Sequence, residues 1–345
     1  MTLSIRRGEL PRDRSAIIKF LHEYLSPRCD STRFDWLYSE NPYGAARIVV
    51  AENGSSGEMI GVAAAFPRTF SFQGSCHPGF VLGDFCLNPR YRSLGPAVQL
   101  QRACFEDANS GSGSVLYDFP SEGMLAVYRR LGLNSQHSMI RFAKPLGVRR
   151  KVAETVKFDS IARGISAVGD KLLAWRDRRL DSQFSSDIAF HEGPCGEEFS
   201  RLASRNPFKS ALGVSRSASY LNWRFLRHPF LRYEILTACQ RDELVGYLVF
   251  TQNGEDACIA DLIWMDDTET LRALVSRVVQ LLRTRGVMTV SLSMVASPTL
   301  ARLFESMGFH KRDSCPALLW PPARDHDQTV IEENQWFLMD GDRES

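Results

Sequence analysis

One order of elements is written twice along this chain of 345 residues. Apolar runs at 46–51 (ARIVVA) and 59–66 (MIGVAAAF) flank a glycine- and serine-rich stretch and predict a hairpin. A strand candidate at 79–87 (GFVLGDFCL), a helix at 97–108 (AVQLQRACFEDA), a strand at 114–119 (SVLYDF) and a helix at 121–132 (SEGMLAVYRRLG) follow. The same succession returns: a hairpin at 234–240 and 244–250, a strand from Asp256, a helix from Thr268, a strand at 287–294 and a helix at 297–308. Landmarks keep step. Trp36 and Pro42 recur 187 positions on as Trp223 and Pro229, Asp84 recurs 177 on as Asp261, and the cap residues Ser121 and Gly132 recur 176 on as Ser297 and Gly308. Duplication explains a repeated order better than coincident caps do. The expected division is 1–145, a connector at 146–190 and 191–345. In the connector Ile161, Ile165, Val168, Leu172 and Trp175 fall on one helical stripe. The apolar WFLM near 336–339 predicts a last strand.

Composition narrows the function. Lys and Arg (42) nearly balance Asp and Glu (40), so no nucleic-acid partner is expected. No run reaches the ~18 apolar residues of a transmembrane helix, and the first residues lack the apolar core of a secretory signal. Eight cysteines without CxxC spacing argue against structural zinc, so no metal is expected and a reducing cytoplasm is the simplest home. The oligomeric state stays open.

The chemistry concentrates at Arg92-Ser93-Leu94-Gly95-Pro96-Ala97, between a strand and a helix. A helix N-terminus presents unpaired N–H groups and a positive dipole end, which suits a pyrophosphate. Gly95 admits close approach, Pro96 fits the first helical turn, and Ala97 keeps the next turn slim. Pro96 removes one N–H; Ser93, Leu94, Gly95 and Ala97 keep theirs. In the second half the matching place reads Met265-Asp266-Asp267-Thr268-Glu269-Thr270, whose acids would repel a pyrophosphate.

LNPRYRSLGPA resembles the signature of the GNAT acyltransferases, in which a Val/Leu-x-Pro-x-x-Arg strand end runs into Q/R-x-x-G-x-G/A. Tyr128 to Leu133 is similar to that family's Tyr-x-x-x-Gly-Phe. The resemblance covers about residues 1–143; residues 190–320 resemble the same fold without the phosphate motif. It implies an α/β (α+β) chain of two GNAT-like units, each a twisted, mostly antiparallel mixed sheet flanked by helices, with pantetheine between two splayed strands. It implies acetyl-CoA as donor at Cys86, Leu87 and Arg92 to Ala97, and a small-molecule primary amine as acceptor, an amino sugar of polysaccharide synthesis being one candidate. Amides near Cys86 and Leu87 would meet the thioester oxygen. Tyr128 is the candidate acid and Asp84 the candidate base, with a structural carboxylate as the other reading of Asp84. Arg224 and His228 are candidates for lining an acceptor pocket. A Fem-type aminoacyl transferase and a non-catalytic acyl-CoA-binding protein are the alternatives.

Overall fold

The computed structural model describes residues 3–72, 74–110, 114–134, 137–148, 187–205, 211–265, 268–295, 297–320 and 336–344. The first half runs β1 (Leu3–Arg7), α1 (Arg14–Tyr24), α2 (Ser31–Phe34), β2 (Arg47–Asn53), β3 (Met59–Phe72), β4 (Ser75–Leu87), α3 (Leu94–Asn109), β5 (Val115–Asp118), α4 (Glu122–Arg130) and β6 (His137–Pro145). The second runs β7 (Asp187–Phe190), α5 (Glu197–Arg205), β8 (Leu212–Val214), α6 (Ala218–Leu221), β9 (Tyr233–Gln240), β10 (Glu243–Asn253), β11 (Asp256–Trp264), α7 (Thr268–Thr284), β12 (Thr289–Val295), α8 (Pro298–Ser306), β13 (His310–Trp320) and β14 (Trp336–Met339). The helical stripe expected at 161–175 lies outside the described residues; 187–190, assigned to the connector from sequence, is strand.

The two expected sheets are one. Twelve strands follow each other in the order β1-β2-β3-β4-β5-β13-β6-β12-β11-β10-β9-β7, with β14 and β8 joined at the side. The halves exchange strands. β13 pairs with β5, β6 pairs with β12, and β13 and β6 pair with each other, all antiparallel. Among the described residues parallel pairing is confined to β4–β5, β11–β12 and β14–β8.

Burial follows the strand period of two. On β2, Ile48 and Val50 enter the core that runs through both halves, while Val49 and Ala51 face a second core under α3. Helix α3 adds Ala97, Leu100, Cys104 and Ala108, spaced to fall on one face. In α7, Leu271, Leu274, Val275, Val278 and Leu282 do the same. Ser121 and Ser297 accept from the amides of Met124 and Leu300, and Gly132 and Gly308 take positive φ just past their helices, as the cap pattern requires.

The repeated tryptophans meet. Trp36 and Trp223 each sit in a π-turn (Asp35–Ser39 and Asn222–Leu226) that continues a short capped helix. Their rings stack at 5.0 Å. The Trp36 indole donates to the Trp223 carbonyl at 3.0 Å, and the Trp223 indole donates to the Trp36 carbonyl at 2.8 Å. Reciprocal bonds of this kind are the mark of a two-fold contact. None of the described helices is long and apolar enough to cross a membrane.

Candidate functional site

β4 and β5 are paired only where Gly79–Val81 meets Val115–Tyr117; beyond that the two strands separate. Asp84 sits in the opening at φ +45°, where β4 bulges against β3. Past the bulge the Asn88 amide donates to the Ile60 carbonyl at 2.9 Å. Alternation along an antiparallel ladder then turns the Leu87 amide to the other edge of β4, toward the opening.

The chain next makes a single turn, Pro89–Tyr91, capped by the Asn88 side chain on the Arg90 amide at 3.0 Å. Ser93 is the extended residue before α3. Its amide is bonded to the Tyr91 carbonyl at 2.8 Å, and the Ala97 amide closes the first helical bond on Ser93 at 3.2 Å. Of the four amides that the sequence leaves for an anion, the fold therefore keeps two, Leu94 and Gly95, free of intrahelical acceptors. A Cβ at Gly95 would meet nothing within 4 Å. The chain's own packing thus does not demand a glycine there; the space lies outside it.

Two cavities lie along this opening. The first, about 430 Å³, is bounded by Cys86, Leu87, Arg92, Ser93, Leu94 and Ala97, which the fold gathers in one wall; Gly95 and Pro96, in the same helical turn, do not line it. Cys86 is a buried thiol whose pKa burial pushes up to about 11, so it stays protonated. The second cavity, about 550 Å³, shares Leu25, Phe85, Ser121 and Met124 with the first and is lined further in by Asp84, Asp118 and, from the second half, His228, Phe230 and Glu344.

Asp84 is held firmly. Arg33 donates to both its oxygens at 2.7 and 2.8 Å, and the Tyr38 hydroxyl donates at 2.7 Å. Its oxygens are committed to groups of the protein. Tyr128 is fully buried behind the wall. Its hydroxyl donates to Asp118 in a short bond and accepts from Gln101 at 2.8 Å. Asp118 stands between it and the cavity. Burial pushes the Asp118 carboxyl up to about 8, so it holds a proton at neutral pH, and burial raises the Tyr128 hydroxyl well above its ordinary value.

The second half adds three groups. His228 Nδ1 accepts from the Phe230 and Leu231 amides at 3.2 and 3.1 Å, which places the ring proton on Nε2. Burial, with Arg224 and Arg33 nearby, lowers its pKa to about 3, so the ring is neutral. Nε2 is buried without a partner among the described residues. Arg224 does not reach the cavity; it is buried and donates to the Gly341 and Arg343 carbonyls at 2.7 and 3.2 Å. Glu344 lines the cavity, and its Oε2 is buried without a partner among the described residues. Sequence reasoning singled out neither Glu344 nor Asp118. Glu344 follows an apolar run among acids that form no pattern, and Asp118 reads as a strand end. Among the described residues no three His, Cys, Asp or Glu side chains gather as a metal site.

The chain has the fold of the GNAT N-acyltransferases. A GCN5-related N-acetyltransferase from Anabaena variabilis superposes with a TM-score of 0.63 at 14% identity, over 92% of this chain and 72% of that one. One from Kribbella flavida gives 0.61 at 14%, over 92% and 71%. N-myristoyltransferase of Saccharomyces cerevisiae with bound myristoyl-CoA gives 0.53 at 11%, over 97% and 89%. At these identities the likeness is one of fold. No protein-family model and no curated protein matches the sequence.

Proposed function

We propose that the chain is an acyl-CoA-dependent N-acyltransferase, with acetyl-CoA as donor and the primary amine of a small molecule as acceptor. The observation that carries this reading is the fork between β4 and β5, where two cavities share one wall. The donor fits the first cavity. Its pyrophosphate would meet the Leu94 and Gly95 amides and Arg92, and its thioester oxygen the Leu87 amide. The acceptor fits the second, whose mouth carries the exposed apolar side chains Leu25, Phe230 and Leu231. An amine with an apolar body suits that rim; an amino sugar is the other class tested. In this reading the departing thiolate takes its proton from Asp118, with the Tyr128 hydroxyl bonded behind it. Asp84 braces Arg33 at the cavity wall. The repeated element order and the reciprocal tryptophans support reading the chain as a duplicated unit divided near residues 145 and 190, with only the first unit binding the donor.

Calorimetric titration with acetyl-CoA tests the donor site. Gly95→Glu brings a carboxylate beside the free amides, and the Cβ it adds meets nothing within 4 Å. Its affinity is expected to fall at least ~100-fold, since like charges brought together cost several kcal/mol. Equal affinity in both proteins defeats the assignment. Release of CoA thiol that depends on an added amine marks an enzyme; acetyl-CoA binding without release marks a non-catalytic acyl-CoA-binding protein.

A further inference from the structure

Segment 336–344 belongs to the second half by its anchors and to the first half by its end. β14 pairs with β12 and β8. The Asp342 carboxylate accepts from Arg216 at 2.6 Å and from the Met339 amide at 2.8 Å. Arg224 holds the Gly341 carbonyl, and Tyr117 of β5 donates to the Asp342 carbonyl at 2.6 Å. Two residues later Glu344 enters the acceptor cavity beside Gly83 of β4. The fit is close: a Cβ on Gly83 would lie 2.7 Å from the Glu344 Cγ.

Three carboxyl groups line this cavity, and their surroundings separate them. Asp84 has both oxygens engaged by Arg33 and Tyr38. Asp118 carries a proton at neutral pH and accepts from Tyr128. Glu344 alone of the three keeps a buried oxygen with no partner among the described residues. A buried carboxylate oxygen left open costs free energy unless something outside the chain meets it.

We propose that Glu344 is the general base of the acceptor cavity, carried there by a segment latched onto the second half. This rests on the acyl-transfer reading above. The amine nitrogen attacks the thioester carbonyl, the C–N bond forms and the C–S bond breaks. The proton lost by nitrogen goes to Glu344, and the thiolate takes one from Asp118. Return of the proton from Glu344 to Asp118 restores the enzyme, so an amine and a thioester become an amide and a thiol. The second half then has a share in catalysis without a donor site of its own: it holds the base.

The charged and titratable groups around Glu344 are Arg343 on its own segment, Arg33 after the α2 cap, Asp84 on β4, Asp118 on β5, Tyr128 on α4, and His228, Arg28 and Cys29 on the cavity wall. Burial, the largest influence, raises the Glu344 carboxyl above its usual range; Asp84 raises it further, and Arg343 and Arg33 oppose. The acid limb of kcat therefore falls at higher pH than for an ordinary glutamate.

The test compares wild type with Glu344→Gln, using acetyl-CoA with 2-phenylethylamine and with glucosamine. Thiol release and acetyl-CoA affinity are both measured. The expected result is a fall in kcat of about 100-fold or more, loss of the acid limb, and unchanged acetyl-CoA affinity. Gly83→Ala displaces the same side chain without altering its chemistry and is expected to lower kcat in the same direction. Wild-type kcat in Glu344→Gln overturns the proposal and leaves acyl transfer standing. A wild type that binds acetyl-CoA but turns over neither amine also overturns it. A wild type that binds no acetyl-CoA overturns the acyl-transfer reading as well.

Discussion

Each half contains one pair of parallel strands that starts together and then parts, and the two gaps have opposite contents. Between β4 and β5 lie the cavities. Between β11 and β12 lies the chain itself. β11 and β12 are paired through Ile259 and Leu292; from Met294 on, β12 pairs instead with β14, and the turn Asp340–Asp342 follows into the gap. Gly341 is required there, since a Cβ would sit 3.0 Å from the Ala260 carbonyl oxygen and 2.7 Å from the Phe225 ring. The two gaps thus differ in use. One gap is left for ligands, and the segment that fills the other ends in the first.

The buried acids show the same contrast and give the largest test of it. In the second half Arg216 holds two buried carboxylates, Asp261 at 3.0 Å and Asp342 at 2.6 Å. In the first, Arg33 holds one, Asp84. Removing one partner of a buried pair costs about 3–5 kcal/mol because a charge is left uncompensated. Arg216→Ala should therefore cost at least that much in urea unfolding, and more than Arg33→Ala. The reverse order would mean that segment 336–344 is not what the second half is built to hold.

Asp118 separates the gaps in another way: it accepts from the Tyr128 hydroxyl, whereas Asp261 and Asp342 accept from a guanidinium, Asp261 from the Tyr247 hydroxyl as well. Its folded pKa, about 8, lies above the unfolded value. The native state then keeps a proton that the unfolded chain gives up. The stabilising effect is complete below the ordinary carboxylate range and is lost as pH rises through about 8. Asp118 alone is expected to make stability fall with rising pH over that window, by up to about 1.4 kcal/mol per pH unit. In Asp118→Asn the fall should be smaller by that amount. Identical slopes in urea titrations at several pH values would remove the neutral acid from the cavity wall.

The smallest expected effect probes the symmetry itself. Trp36→Phe and Trp223→Phe each delete one of two matching bonds at the contact between the halves, 3.0 and 2.8 Å long. Each should cost about 1 kcal/mol, and the two costs should agree. A clear inequality would show that the contact is symmetric in shape but not in energy.

Elements with a regular pattern are legible in the sequence. The hairpins, the helices at 94–109 and 268–284, the caps at Ser121 and Ser297 and the strand at 336–339 all follow from apolar spacing and local chemistry. The wall of the first cavity is legible too, because Cys86 to Ala97 are close in sequence and the chain has little choice of path through Asn88-Pro89. β6 and β13 are not. β13 opens with five exposed residues and shows no alternation, and both strands it pairs with, β5 and β6, belong to the other half.

What the sequence determined by itself is local: which stretches repeat, where helices begin and end, and where a glycine stands at a helix N-terminus. Such features depend on residues within a turn or two of each other. Tertiary structure alone decided that Arg33 and Tyr38 close on Asp84, that Tyr128 lies behind Asp118, that two separated tryptophans bond each other, and that Glu344 reaches the cavity of the opposite half. Burial and pairing between distant residues make those choices, because the desolvation of a charge depends on what the fold packs around it and not on its neighbours along the chain.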